Sequence, residues 1–134
     1  MTRRLTILLL LLTMSVALVA AARDQNAAKK RASRLGSAPA SAEARSNPYE
    51  GNHDAVRAGQ KLYGRYCAEC HGKDLAGQRK TPALDSQNVE QAAPGKLFWV
   101  LTNGDLRKGM PAWSELPEQQ RWQIVSYLKS ARNK

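Results

Sequence analysis

The chain has 134 residues, with 21 Lys and Arg against 11 Asp and Glu, which gives a formal net charge of +10. That length allows one domain. The basic residues are spread along the chain, and the sequence contains no nucleic-acid-binding motif. We therefore expect no nucleic-acid ligand, and the charge favours acidic protein partners or an anionic surface.

The first 22 residues have the layout of an export signal. Arg3 and Arg4 precede the uncharged residues 5–22, which end in three alanines. A basic start, an apolar stretch and small residues at the end are typical of a secretory signal peptide. An uncleaved membrane anchor is the alternative, because a span needs about 17–25 residues. In both cases we expect the rest of the chain in the periplasm. Removal of residues 1–22 takes away two basic and no acidic residues, so 19 basic and 11 acidic residues remain and the net charge is +8.

Residues 23–48 are predicted to be a flexible basic linker. Leu35 is their only large aliphatic residue, they contain no aromatic residue, and Ala, Ser, Arg and Lys dominate. Such a stretch cannot bury enough apolar surface to offset its ordering entropy. The folded domain is therefore predicted over residues 49–134, where a bound cofactor would help to stabilise so small a core.

The domain is predicted to be all-α, because apolar residues recur at helical spacing and no alternating strand pattern appears. The first helix is expected from Asp54, as N-cap, to Tyr66. A short helical turn follows, and another helix is expected over residues 95–103. The last helix begins around Pro117 and Glu118 and ends among basic residues, which suit its dipole.

The two cysteines of the chain both lie in Cys67-Ala68-Glu69-Cys70-His71. This spacing is the signature of covalent haem attachment, in which two thiols bond to the porphyrin and the adjacent histidine binds iron. Three other interpretations remain: a thioredoxin-like redox pair, which needs a βαβ context; a zinc site, which needs four ligands; and a plain disulfide. The cofactor predicted from the motif is one covalently bound haem c, with Cys67, Cys70 and His71 as its attachment residues.

The second axial ligand of the iron can be sought by elimination. Once residues 1–22 are removed, Met110 is the only methionine, and His53 is the only histidine besides His71. Met110 lies in a glycine-rich loop between two helices, and Pro111 would stiffen that loop. We predict Met110 as the second metal ligand; His53, an open position, or a Met110 that fills a core gap are the alternatives.

Residues 49–134 resemble a class I monohaem c-type cytochrome. The matching features are Gly59, Tyr63, the Cys67–His71 motif, Pro82, Gly109-Met110-Pro111, Ile124 and Tyr127. The resemblance implies a small cytochrome c fold, with three to five helices around one covalently attached haem. It also implies that the first and last helices cross at a glycine, and that the Pro82 carbonyl accepts a hydrogen bond from His71, although Pro82 could be an ordinary turn proline. Residues 47–52, 97–99 and 110–113 resemble the type that accompanies periplasmic quinoprotein dehydrogenases.

These features predict a periplasmic one-electron carrier that is not an enzyme. With His and Met as axial ligands it would pass electrons from a dehydrogenase to a terminal oxidase. Basic residues near the motifs could form a docking ring for acidic redox partners, or simply a solvated surface; they are Lys73, Arg79, Lys80, Arg107 and Lys108. Two alternatives remain: a peroxidase or gas binder with an open sixth position, and a cytochrome subunit of a larger complex that contacts the membrane through retained residues 5–22.

Overall fold

A computed structural model describes residues 35–78 and 80–131 of the chain. Its helices, in chain order, are α1 (Ala40–Glu43), α2 (His53–Tyr66), α3 (Ala68–His71), α4 (Gln87–Gln91), α5 (Pro94–Asn103) and α6 (Glu118–Ser130), with 3₁₀ turns at Leu35–Ser37 and Leu106–Lys108. The described residues contain isolated bridges but no strand. The all-α prediction is confirmed, with six helices there rather than three to five; α1 and α4 are short and have little apolar pattern.

Helix α2 begins at His53, and its N-cap lies two residues before the predicted one. The side chain of Asn52 accepts a hydrogen bond from the backbone N–H of Ala55 at 3.0 Å and is the N-cap. Asp54, the predicted cap, lies in the first turn and forms an ion pair with Arg57. The prediction of Asp54 as the N-cap was therefore wrong. Asn and Asp cap helices about equally well, so residue type alone does not show which of Asn52 and Asp54 is the N-cap.

Helices α2 and α6 cross at Gly59, as the resemblance implies. A Cβ atom at Gly59 would lie 2.6 Å from the carbonyl carbon of Gln123 and 3.0 Å from the Cβ of Tyr127. No side chain fits there, so the two backbones touch. One turn further along α2, the ring of Tyr63 packs against that of Tyr127, with centroids 5.4 Å apart and planes inclined at 51°.

In the described part of the chain, the buried apolar side chains form two clusters. The larger lies between α4, α5 and α6 and consists of Val89, Leu97, Phe98, Trp122 and Val125. The smaller consists of Tyr63, Ala68 and Leu75 and lies around the haem-attachment motif. Leu84 and Leu128 pack against both clusters, so the motif rests on the same core that holds the helices together.

Residues 35–48, here called the N-terminal strap, differ from the predicted linker because they pack against the domain. The guanidinium of Arg45 lies 4.6 Å from the ring centroid of Phe98 and pairs with Glu118 at 2.7 Å. Asn47 is 7% exposed and donates to the hydroxyl of Ser126 at 2.9 Å. The strap contributes two apolar residues, the buried Ala42 and Leu35, which packs against the larger cluster. Arg45, which covers the aromatic face, and the hydrogen-bonded amide of Asn47 supply its remaining contacts.

The predicted export signal, residues 1–22, and the first part of the predicted linker, residues 23–34, lie outside the described residues. Within residues 35–78 and 80–131, every helix is too short or too polar to cross a membrane.

Candidate functional site

The three attachment residues follow directly from the end of α2. The backbone N–H of Cys67 still bonds to the Tyr63 carbonyl at 2.8 Å, and that of His71 bonds to the Cys67 carbonyl at 2.9 Å. The turn of α3 therefore continues from α2 and brings both sulfurs and the imidazole onto one short segment. Cys67 is half-buried, Cys70 is exposed, and both thiols are free.

The thiol of Cys67 does not have the properties of a redox-active cysteine. Burial, followed by the neighbouring Cys70 thiol, raises the pKa of Cys67 to about 11. Catalytic redox cysteines have a lowered pKa, because the thiolate is the reactive form. Together with the absence of strands from the described part of the chain, this argues against a thioredoxin-like pair.

His71 is held by the carbonyl of Pro82. The Nδ1 atom lies 3.0 Å from that carbonyl oxygen, so the contact implied by the resemblance is present. A carbonyl can only accept, so Nδ1 carries the proton and Nε2 keeps its lone pair for a metal. Burial lowers the pKa of His71, with the Pro82 hydrogen bond opposing it; the neutral ring is the form that binds metals.

The Met110 loop is connected to the end of α2 through Trp113. The backbones of Asp105 and Met110 pair through hydrogen bonds of 2.8 and 3.0 Å, which close the loop, and Met110 is half-buried. Trp113 packs its ring 5.3 Å from that of Tyr66, the residue before Cys67. Met110 is three residues from Trp113, a chain length of at most about 10 Å, so this contact brings the end of the Met110 loop near the end of α2.

His53 lies at the other end of α2. It is the first residue of that helix and is exposed. At about 1.5 Å per residue, it is about 20 Å from Tyr66 at the last turn. The structure therefore removes His53 as a candidate for the second axial position.

The donor set fits haem c. Covalent attachment requires two thiols and an imidazole with a free Nε2, which this segment supplies, and two-sided ligation requires one further donor, for which the Met110 thioether is the candidate. Beside them is an open surface depression of about 430 Å³, lined by Glu69, Cys70, Gln78, Lys80 and Thr81. Among the described residues, no group of three or more His, Cys, Asp or Glu side chains could hold a metal ion, so the four-ligand zinc interpretation finds no support.

Two features around the motif are not decided by the sequence. The sequence leaves open whether Trp113 lines the haem pocket or belongs to the general core; in the structure its ring contacts that of Tyr66. Leu75 has a φ of +68° and is 4% exposed, in a backbone region where leucine is rarely found. A leucine between two glycine-containing turns gives no hint of this conformation.

Comparison with known proteins identifies the same part of the chain. A family model described as "Cytochrome C oxidase, cbb3-type, subunit III" matches residues 54–128. A solved structure of cytochrome CL from the marine methylotrophic bacterium Methylophaga aminisulfidivorans is similar, at 27% identity and a TM-score of 0.55. The match covers 63% of this chain and 58% of that one. No curated protein matches.

The family match includes the attachment motif, Pro82 and Met110, and it spans 75 of the 134 residues. The similar solved structure is itself a c-type cytochrome of the same helical fold. The chain therefore belongs to the family of cbb3-type cytochrome c oxidase subunit III, as a c-type cytochrome domain that binds haem covalently.

Proposed function

We propose that this protein is a periplasmic one-electron carrier in which His71 and Met110 are the two axial ligands of the haem iron. Haem c supplies the one-electron couple between ferric and ferrous iron. The observation that carries the proposal is the pair of contacts that arrange the ligands. The Pro82 carbonyl oxygen lies 3.0 Å from Nδ1 of His71 and so fixes its tautomer, and the Tyr66–Trp113 contact brings the end of the Met110 loop near the residue before Cys67.

The proposed ligands determine what the site can do. A thioether on one side and an imidazole on the other raise the haem potential, which suits delivery of electrons to an oxidase. Because both axial positions are taken by side chains, no substrate would bind there. This distinguishes the carrier from a peroxidase or gas binder, which needs an open position.

The proposed partners are acidic redox proteins, with a periplasmic dehydrogenase as donor and a terminal oxidase as acceptor. Lys73, Lys80 and Arg107 are exposed close to the motif and the Met110 loop, and Lys108 is exposed although it pairs with Asp105 at 3.8 Å. Arg79 lies outside the described residues. Positive charge here would speed encounter with an acidic surface and lose that effect as salt rises. A family named for an oxidase subunit supports the acceptor.

The family description also favours a second candidate, a cytochrome subunit of a larger membrane complex. The mass of the mature protein distinguishes the two. Loss of residues 1–22 supports the free carrier, and retention of residues 5–22 as an anchor supports the subunit.

Substitution of the second ligand tests the proposal. We expect Met110→Ala to keep haem attached but to lower the potential, within the roughly 0.8 V that axial ligands span. It should also abolish the long-wavelength sulfur-to-iron absorption of the ferric protein and allow rapid binding of carbon monoxide. Leu106→Ala is the matched control, since this side chain is in the same loop and 78% exposed. An unchanged spectrum and potential in Met110→Ala would rule out Met110 as ligand.

A further inference from the structure

A buried hydroxyl is hydrogen-bonded to the peptide that follows His71. The side chain of Tyr63 is 2% exposed, and its hydroxyl donates to the carbonyl oxygen of Gly72 at 2.6 Å. A tyrosine at this position is not needed to fill the core, because phenylalanine has nearly the same volume. The hydroxyl is therefore the part of the residue that needs an explanation.

The position of that hydroxyl is set by the helix crossing. Tyr63 follows Gly59 by one turn on the face of α2 that meets α6, and its ring packs against Tyr127. Burial, followed by the nearby Cys67 thiol, raises the pKa of Tyr63 far above neutrality. The group is thus a hydrogen-bond donor throughout the physiological pH range, directed at one acceptor.

The acceptor begins the loop that returns to His71. Gly72 has a φ of +79°, and its carbonyl also receives the backbone N–H of Leu75 at 3.4 Å. The N–H of Gly77 bonds to the His71 carbonyl at 2.9 Å, and that of Leu84 bonds to the Leu75 carbonyl at 2.7 Å. These bonds close the loop of residues 72–84 on itself.

Pro82 lies near the far end of this closed loop, where its carbonyl oxygen meets Nδ1 of His71 at 3.0 Å. The imidazole is thus held at two points, through its own backbone and through its ring. The Tyr63 hydroxyl secures the first of these, at the peptide where the loop starts. A shift of the Gly72 peptide would move both the ring and the loop that carries its acceptor.

We propose that Tyr63 is a positioning residue for His71, holding the Gly72 peptide so that the Pro82 carbonyl meets the imidazole in a fixed geometry. The inference rests on the proposed role of His71 as axial ligand. A well-aligned bond at Nδ1 makes an imidazole more basic and so favours the more highly charged metal. Loosening that bond should therefore favour ferrous over ferric iron and raise the potential.

The test compares two substitutions in the haem-loaded protein, each of which removes the hydroxyl of one of the two packed tyrosines, Tyr63 and Tyr127. Tyr63→Phe should shift the ferric–ferrous equilibrium about threefold toward ferrous, which is about 28 mV upward at 59 mV per tenfold change. It should also speed solvent exchange of the His71 Nδ1 proton, measured by NMR. Tyr127→Phe, the matched control, should leave both unchanged. Equal shifts in the two variants, or none in Tyr63→Phe, would overturn the inference.

A second variant keeps the test decisive if Tyr63→Phe folds poorly. Pro82→Gly loosens the acceptor directly and should raise the potential in the same direction. The potential of the double variant Tyr63→Phe/Pro82→Gly should shift by less than the sum of the shifts in the two single variants, because both substitutions act through one hydrogen bond. A shift equal to that sum would contradict the positioning role. The absorption spectrum of the wild-type protein distinguishes the two proposals. A spectrum without His/Met ligation would contradict the proposed function. A spectrum with His/Met ligation, together with an unchanged potential in Tyr63→Phe, would contradict only the positioning role of Tyr63.

Discussion

The helix crossing at Gly59 provides a sharp test of the fold. In Gly59→Ala the added Cβ would lie 2.6 Å from the carbonyl carbon of Gln123, and ordinary contact begins at 3.4 Å. Helices α2 and α6 would have to separate by at least 0.8 Å, the difference between these two distances. Neither obstacle is the end of a flexible side chain, since the nearest atoms belong to the backbone and to the Cβ of Tyr127.

The magnitude follows from two opposing terms. Alanine stabilises a helix interior by about 1 kcal/mol relative to glycine. Overpacking in a well-packed core costs about 1–3 kcal/mol, and more where rigid atoms collide. Because the collision is with backbone, we expect an overpacking cost at the upper end, about 3 kcal/mol. After the helix-propensity gain is subtracted, Gly59→Ala should lower the free energy of unfolding by about 2 kcal/mol.

Gly64→Ala is the matched control for this experiment. Gly64 is in the same helix, and a Cβ there would meet no atom within 4 Å. Only the helix-propensity term applies, so this variant should be more stable than wild type by about 0.5–1 kcal/mol. Urea unfolding of the haem-loaded proteins, followed by far-ultraviolet circular dichroism, measures both values. A Gly59→Ala variant as stable as Gly64→Ala would refute the close crossing.

Two further predictions concern the N-terminal strap. Asn47→Ala should lower the free energy of unfolding by about 1–3 kcal/mol, because it leaves the backbone N–H of Tyr49 without its side-chain acceptor and removes the bond to Ser126; an unchanged urea midpoint would contradict this. A chain that begins at residue 49 should melt at a lower temperature than one that begins at residue 35 and should bind more of an apolar dye, because Phe98 loses the cover of Arg45. Equal melting temperatures would mean that the strap adds nothing to the domain.

The long helices and the attachment motif could be predicted because their signals are local. Helix α6 was expected around Pro117 and Glu118, and it begins at Glu118 with Trp122 on its buried face. The residues 95–103 were expected to be helical, and α5 adds only Pro94 at its start. In each case the apolar spacing and the residues at the start of the helix point to the same answer.

The strap and α4 could not be predicted because their stability comes from distant residues. Arg45 is a surface residue by composition, yet its guanidinium lies over Phe98, 53 positions along the chain. The sequence around Asn47 predicts a linker, because its hydrogen-bond partner, Ser126, is distant along the chain. Helix α4 buries a single residue, Val89, in five, which is too little pattern to recognise.

At the site, the residue types were predictable but the orientation of the ligands was not. The spacing of Cys67, Cys70 and His71 identifies the cofactor on its own. The role of Pro82 was available only through resemblance, and the contact with His71 depends on how residues 72–84 fold back. Leu75 makes that return possible in a left-handed conformation that its residue type disfavours.

The contact at Gly59 also sets an order of assembly. Its partner, Gln123, comes 64 residues later, whereas the attachment motif begins only eight residues after Gly59. A chain that emerges N-terminus first therefore presents both thiols before α6 exists to pack against α2.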